Sequence, residues 1–194
     1  TTCVAIAALK TGSKCSFTVR KQRFFACLCL ALAASPTIFN NLLQHTTMEF
    51  QNLLINNRGA VRTITINRPS KLNALNHETI SELQVAFDQA REDGSVRVVV
   101  LAGSGEKAFV AGADIAELSA LSAVDAHRFS RAGQRMMRTI ELLGKPVIAR
   151  IQGFALGGGL EIAMSCHLRI GSEKTRLGLP EITLGLLPGF GGTQ

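Results

Sequence analysis

Tryptophan and tyrosine are absent from the 194 residues, and all ten aromatic side chains are Phe. A surface that stacks nucleic-acid bases is therefore poorly supplied, because Tyr, Trp and His are common stacking partners and Phe is scattered here. Acidic residues are missing from residues 1–47, which hold five basic ones, Lys10, Lys14, Arg20, Lys21 and Arg23. The net charge of +7 thus belongs mostly to the first quarter, and residues 48–194 balance 16 basic against 14 acidic side chains. That balance argues against a nucleic-acid patch on the body. Cysteine is scarce there too. Cys3, Cys15, Cys27 and Cys29 precede residue 48, and only Cys166 follows. A body with one Cys is no disulfide framework and suits a reducing compartment. Cys27 and Cys29 stand too close for a zinc pair, and His45, His77, His127 and His167 have no metal-ligand spacing. No metal site is expected. The apolar run Phe24 to Ala34 is too short to cross a bilayer.

What is present fits one domain with an appendage. With 46% hydrophobic residues, the chain can bury a real core and is neither collagen-like nor disordered. The appendage, residues 1–47, runs from Arg20-Lys21-Gln22-Arg23 through the apolar stretch to Ala31-Leu32-Ala33. That order resembles a secretory signal, and its lack of acids also permits a mitochondrial presequence. A third reading starts the native protein at Met48. The expected division is 1–47 as a leader-like or non-native extension and 48–194 as the core. The expected location is cytoplasmic, or mitochondrial if residues 1–47 are a genuine presequence.

The body alternates strand and helix signals. Strands are expected at 60–66, 96–101, 108–110, 147–151 and 168–170, where β-branched and apolar residues cluster. Helices are expected at 78–91, from the spacing of Ile80, Leu83, Phe87 and Ala90, and at 124–143 and 160–165. Residues 153–159 read as a loop. The class is α/β.

Of 18 glycines, 11 fall between Gly144 and Gly192. Runs such as Gly157-Gly158-Gly159 and Gly189-Phe190-Gly191-Gly192 weaken regular structure and suit close backbone approach to a ligand, or tight turns in a compact core. A helix opening within Gly157-Gly158-Gly159-Leu160-Glu161 presents free N–H groups to a phosphate or a developing oxyanion. No Lys-Ser or Lys-Thr follows, the spacing is not Gly-x-Gly-x-x-Gly, and no Gly-x-Ser-x-Gly elbow exists. A carbonyl oxygen remains as guest. Ala111-Gly112-Ala113-Asp114, after a strand, can supply a second N–H, and Asp114 also suits the N-cap of the next helix. Glu161 reads either as a carboxylate favoured by the helix dipole or as an acid–base group. Glu181 reads either as an ion-pair partner of Arg176 or Arg169 or as a second such group.

These residues resemble the enoyl-CoA hydratase/isomerase (crotonase) superfamily. The matching segments are Ile66-Asn67-Arg68-Pro69 with Asn73-Ala74-Leu75-Asn76, Phe109 to Ile115, Lys145 to Ala149, Gly153 to Glu161, and Leu179-Pro180-Glu181-Ile182 to Gln194. They occur in the family's order and cover nearly all of residues 50–194. The resemblance implies a spiral of ββα units, an acyl-CoA thioester as ligand, a trimer or hexamer, and no cofactor, CoA being part of the substrate. It maps the oxyanion-hole N–H groups to Ala111 and Gly158, and substrate contacts to Ala111, Gly112, Ala113, Asp114 and Gly158. It maps two water-holding glutamates to Glu161, expected to deprotonate the water that attacks C3, and Glu181, expected to deliver a proton at C2. Retention of both favours hydration of a trans-2-enoyl-CoA to a 3-hydroxyacyl-CoA, a hydro-lyase reaction of acyl-CoA catabolism. The alternatives are a branched enoyl-CoA hydratase, an enoyl-CoA isomerase, or a non-catalytic acyl-CoA-binding or RNA-binding member. Departures are His167 where the family often has Asp, Ala116 where many members have Lys, and an end at Gln194. The last is expected to mean a C-terminal truncation that removes the helical region lidding the acyl pocket. Neither nucleic acid nor a membrane span is expected.

Overall fold

A computed structural model describes residues 50–194. The leader-like segment, with four cysteines and His45, lies outside the described residues. Strand β1 (Leu53–Arg58) and strand β2 (Val61–Ile66) form an antiparallel hairpin. Along β2, Arg62, Ile64 and Ile66 are buried in alternation with their neighbours, as period-two patterning requires. The buried Arg62 is matched by Asp93, 2.7 Å away, and by Asn57. Strands β3 (Val98–Gly103), β5 (Val147–Ile151) and β7 (Leu168–Gly171) add in parallel, giving one sheet ordered β1-β2-β3-β5-β7. Strands β4 (Ala108–Ala111), β6 (Phe154–Leu156) and β8 (Arg176–Gly178) form a second, parallel sheet.

From β3 onward each pass of the chain gives one strand to the larger sheet and the next to the smaller. Helices separate the passes: α1 (His77–Glu92) after the hairpin, α2 (Ile115–Ser119) and α3 (Ala123–Glu141) after β4, and α4 (Gly158–Ser165) after β6. This is the expected α/β spiral of ββα turns. Helix α1 starts where Asn76 accepts the Thr79 N–H and buries Ile80, Leu83, Phe87 and Ala90. Helix α3 starts at a Ser122 cap and buries Phe129, Met136, Met137 and Ile140.

Three strands have no counterpart in the sequence reading. β1, β6 and β8 are short or polar, and pairing with established neighbours sets them rather than their own propensity. Residues 154–156, expected in a loop, are held between β4 and β8. Val96 is buried but precedes β3.

Helix α4 lies directly against strand β4 at Gly159. A Cβ there would lie 2.0 Å from the Val110 carbonyl oxygen of β4. Backbone cannot yield as a flexible side chain can. Gly159→Ala is expected to lower folding stability by about 3 kcal/mol, read as a fall in the urea midpoint at unchanged slope. A midpoint equal to the parent's would show that β4 and α4 are not in this contact.

Candidate functional site

A cavity of about 450 Å³ opens where the N-terminus of α4, the end of β4, helix α3 and the 3-10 turn Pro180–Leu184 converge. Its walls are mainly apolar, Ile115, Leu118, Phe129 and Leu184 among them. Five predicted site residues reach it from two stretches distant in sequence: Ala111, Gly112 and Ala113 from the end of β4, and Gly158 and Glu161 from α4. Glu181 enters from the 3-10 turn. Asp114 does not line it. Instead Asp114 caps α2 by accepting the Ala116 N–H and pairs with Arg68 at 3.0 Å. The hydrogen-bonded Arg68 guanidinium holds the Asp114 carboxyl below the usual carboxylate range.

Gly157 begins α4 with φ +50°, and its carbonyl accepts the Leu160 and Glu161 N–H groups. The Gly158 N–H has no hydrogen-bond partner among the described residues. It is therefore a free helix-terminal donor, on a residue that lines the cavity.

The second donor differs from expectation. The Ala111 N–H donates to the Leu72 carbonyl at 3.1 Å and so is engaged within the protein. Two residues on, Leu75 donates to the Gly112 carbonyl and accepts from the Asp114 N–H, both at 2.8 Å. Those bonds turn the two groups that flank Ala113 toward Leu75. By strand alternation the Ala113 N–H faces the other way, and it has no partner among the described residues. Position 113, not 111, offers the free N–H. Spacing alone did not show this, because the choice depends on register with Leu72–Leu75. Asn73 fixes that register: it is fully buried, with φ +58°, and its amide donates to the Ser104 and Ala108 carbonyls.

Glu161 is 5% exposed. Its Oε1 accepts the Phe190 and Gly192 N–H groups, each at 2.8 Å. Burial raises its pKa above the ordinary 4.5, the nearby Glu181 charge adds to the rise, and the backbone N–H groups oppose it. The Gly189–Gly192 run thus approaches a carboxylate of the protein itself. Glu181 makes no salt bridge among the described residues. Arg169 and Arg176, the ion-pair candidates, donate instead to backbone carbonyls. Glu181 Oε2 is buried and has no partner among the described residues. Its carboxylate end fills the space that a side chain at residue 157 would need: a Cβ on Gly157 would lie 2.5 Å from Glu181 Oε1.

The raised pKa of Glu161 has a stability consequence. Protonation favours the native state, so the cost of burying the charge is absent below the ordinary carboxylate range. It grows as pH rises through that range toward the raised folded value. Glu161→Gln, which keeps an Oε1 acceptor, is expected to be more stable than the parent at neutral pH and no more stable in mild acid. Urea midpoints at the two pH values test this, and a gap that widens on acidification contradicts it.

His167, at the position where Asp was the family expectation, accepts the Val147 N–H at the start of β5 through Nδ1 at 3.1 Å. His77 and His127 are exposed. No group of three or more potential metal ligands occurs among the described residues. Among the same residues no helix is long and apolar enough to cross a membrane.

A family profile described as "Enoyl-CoA hydratase/isomerase" matches residues 56–194. The chain is 50% identical over 147 residues to a short-chain-enoyl-CoA hydratase of Clostridium acetobutylicum, covering 76% of this chain and 56% of that protein. It is 46% identical, with the same coverage, to a crotonyl-CoA hydratase of Syntrophomonas wolfei. The crystal structure of an enoyl-CoA hydratase from Bacillus anthracis superposes with a TM-score of 0.72 at 41% identity, over 74% of this chain and 56% of that one. The chain spans about 56% of the length of the curated relatives it matches.

Proposed function

The chain belongs to the enoyl-CoA hydratase/isomerase family, and from that premise we propose that the protein hydrates a trans-2-enoyl-CoA to a 3-hydroxyacyl-CoA. One observation carries the reading. Two carboxylates, Glu161 and Glu181, share one apolar cavity with the unpartnered N–H groups of Ala113 and Gly158.

The thioester oxygen lies between the two N–H groups, which stabilise negative charge as it develops there. That polarisation makes C3 electrophilic. The Glu161 carboxylate, its Oε1 fixed by Phe190 and Gly192, takes a proton from water as the oxygen bonds to C3. Glu181 gives a proton to C2 as the double bond is lost. Water is consumed whole: its oxygen and one hydrogen become the C3 hydroxyl. The proton left on Glu161 restores the one Glu181 gave before the next turnover. The cavity's apolar walls hold the acyl chain and exclude bulk water. No cofactor enters these steps. CoA is part of the substrate.

Two finer readings accompany this one. Residues 48–194 form the catalytic core of a homo-oligomer, trimer or hexamer, supported by Leu168 and Ile170, both more than half exposed on edge strand β7. The compartment is cytoplasmic, or mitochondrial if residues 1–47 act as a presequence. The single Cys of the body supports a reducing environment.

The test is disappearance of the conjugated enoyl absorbance when the full-length protein meets crotonyl-CoA. Rapid loss with 3-hydroxybutyryl-CoA as product supports the reading. A folded protein that binds the thioester without turnover overturns it in favour of a binding role.

A further inference from the structure

Helix α3 contains a buried glycine in its interior, Gly133, although glycine there weakens a helix relative to Ala. The Phe190 ring occupies the space above it. A Cβ on Gly133 would lie 2.3 Å from Cδ1 and 2.5 Å from Cε1 of Phe190. The same ring packs on Phe129, one turn earlier, with centroids 5.4 Å apart. Next to this contact, Ser130 Oγ donates to the Gly189 carbonyl at 2.6 Å and Gln134 Nε2 donates to the same carbonyl at 3.0 Å. Four residues on one face of α3 thus fix a loop that has no regular structure of its own. From that loop the Phe190 and Gly192 N–H groups reach Glu161.

We propose that Gly133, with Ser130 and Gln134, is a positioning element for Glu161: this face of α3 seats the Phe190 loop and thereby aims two N–H donors at the carboxylate. The inference rests on the proposed role of Glu161 as base. Phe190 cannot keep its place if residue 133 gains a side chain, and its N–H moves with it. Glu161 would then stay buried with weaker hydrogen bonding, which favours its neutral form. A base held neutral is out of action until higher pH.

The experiment compares Gly133→Ala, Ser130→Ala and the double variant Gly133→Ala/Phe190→Leu with the parent, all in the full-length protein. Two readouts are taken: the pH profile of crotonyl-CoA hydration, and the titration of the Glu161 carboxyl by carbon-13 NMR of glutamate-labelled protein. Gly133→Ala is expected to lower kcat by between about 10- and 100-fold with a smaller change in KM, and to move the acidic limb of the profile and the Glu161 titration to higher pH. Ser130→Ala, which needs no repacking, is expected to shift both in the same direction by less. Phe190→Leu, by making room for the new methyl group, is expected to return the titration toward the parent's. An unshifted Glu161 titration in folded Gly133→Ala overturns the proposal. Should that variant fail to fold, an unshifted titration in Ser130→Ala does so. The NMR arm needs no turnover, so a parent without hydratase activity would remove the functional reading while the coupling from α3 to Glu161 is still decided.

Discussion

Glu161→Gln and Glu181→Gln are each expected to slow crotonyl-CoA hydration by about 10² to 10⁴, with thioester binding largely kept. The amide at 161 still offers an oxygen to the Phe190 and Gly192 N–H groups, so the loss reads the missing base rather than a displaced loop. At 181 the carboxyl carries a buried oxygen with no partner among the described residues, and its replacement removes the group proposed to protonate C2. The two carboxylates act as a unit in one addition, so the double variant is expected to lose far less than the product of the single losses. Steady-state rates with crotonyl-CoA, beside a binding titration with a non-reactive acyl-CoA, make the measurement. Either variant within fivefold of the parent rate would remove that carboxylate from the mechanism.

Ala113→Pro is expected to lower kcat by about 10² to 10³, the loss that follows removal of one oxyanion donor. Proline lacks the N–H. The group it removes here has no partner among the described residues, and the flanking bonds of Leu75 to Gly112 and Asp114 do not involve it. Stability should therefore fall little while rate falls much. Ala111→Pro is the contrasting variant. It removes the donor to Leu72 and a strand position of β4, so its principal effect is expected on stability. If Ala113→Pro turns over at the parent rate, the thioester oxygen does not sit against residue 113.

Much of this architecture is legible in the sequence. The β-branched and apolar runs read as strands at 60–66, 96–101 and 147–151 became the middle strands of the larger sheet, at Val61–Ile66, Val98–Gly103 and Val147–Ile151, because burial on their faces demands such residues. The periodicity of α1 was equally plain, and the helix expected at 124–143 formed as α3 at Ala123–Glu141. What the sequence hid was set at long range. β6 and β8 are three residues each and exist by pairing. The donors to Glu161 lie 29 and 31 residues downstream, and no local pattern links them to it. The Gly157-Gly158-Gly159 run pointed correctly to a free helix N-terminus, since that signal is local. The engagement of the Ala111 N–H by Leu72, which leaves the free N–H two residues on, was not legible, since the turn of the backbone after β4 depends on the Leu72–Leu75 clamp. Asp114 was legible as a cap, and its ion pair with Arg68, 46 residues away in sequence, was not.

In the proposed reaction one water is added across C2=C3 by the two glutamates. Its most direct test runs the full-length protein with crotonyl-CoA in oxygen-18-labelled heavy water and analyses the product by mass spectrometry and NMR. Hydration by this route leaves one labelled oxygen at C3 and one deuterium at C2, and Glu161→Gln is expected to lose both incorporations. Deuterium with the double bond moved and no oxygen label, or free acid with label in its carboxyl group, would contradict it.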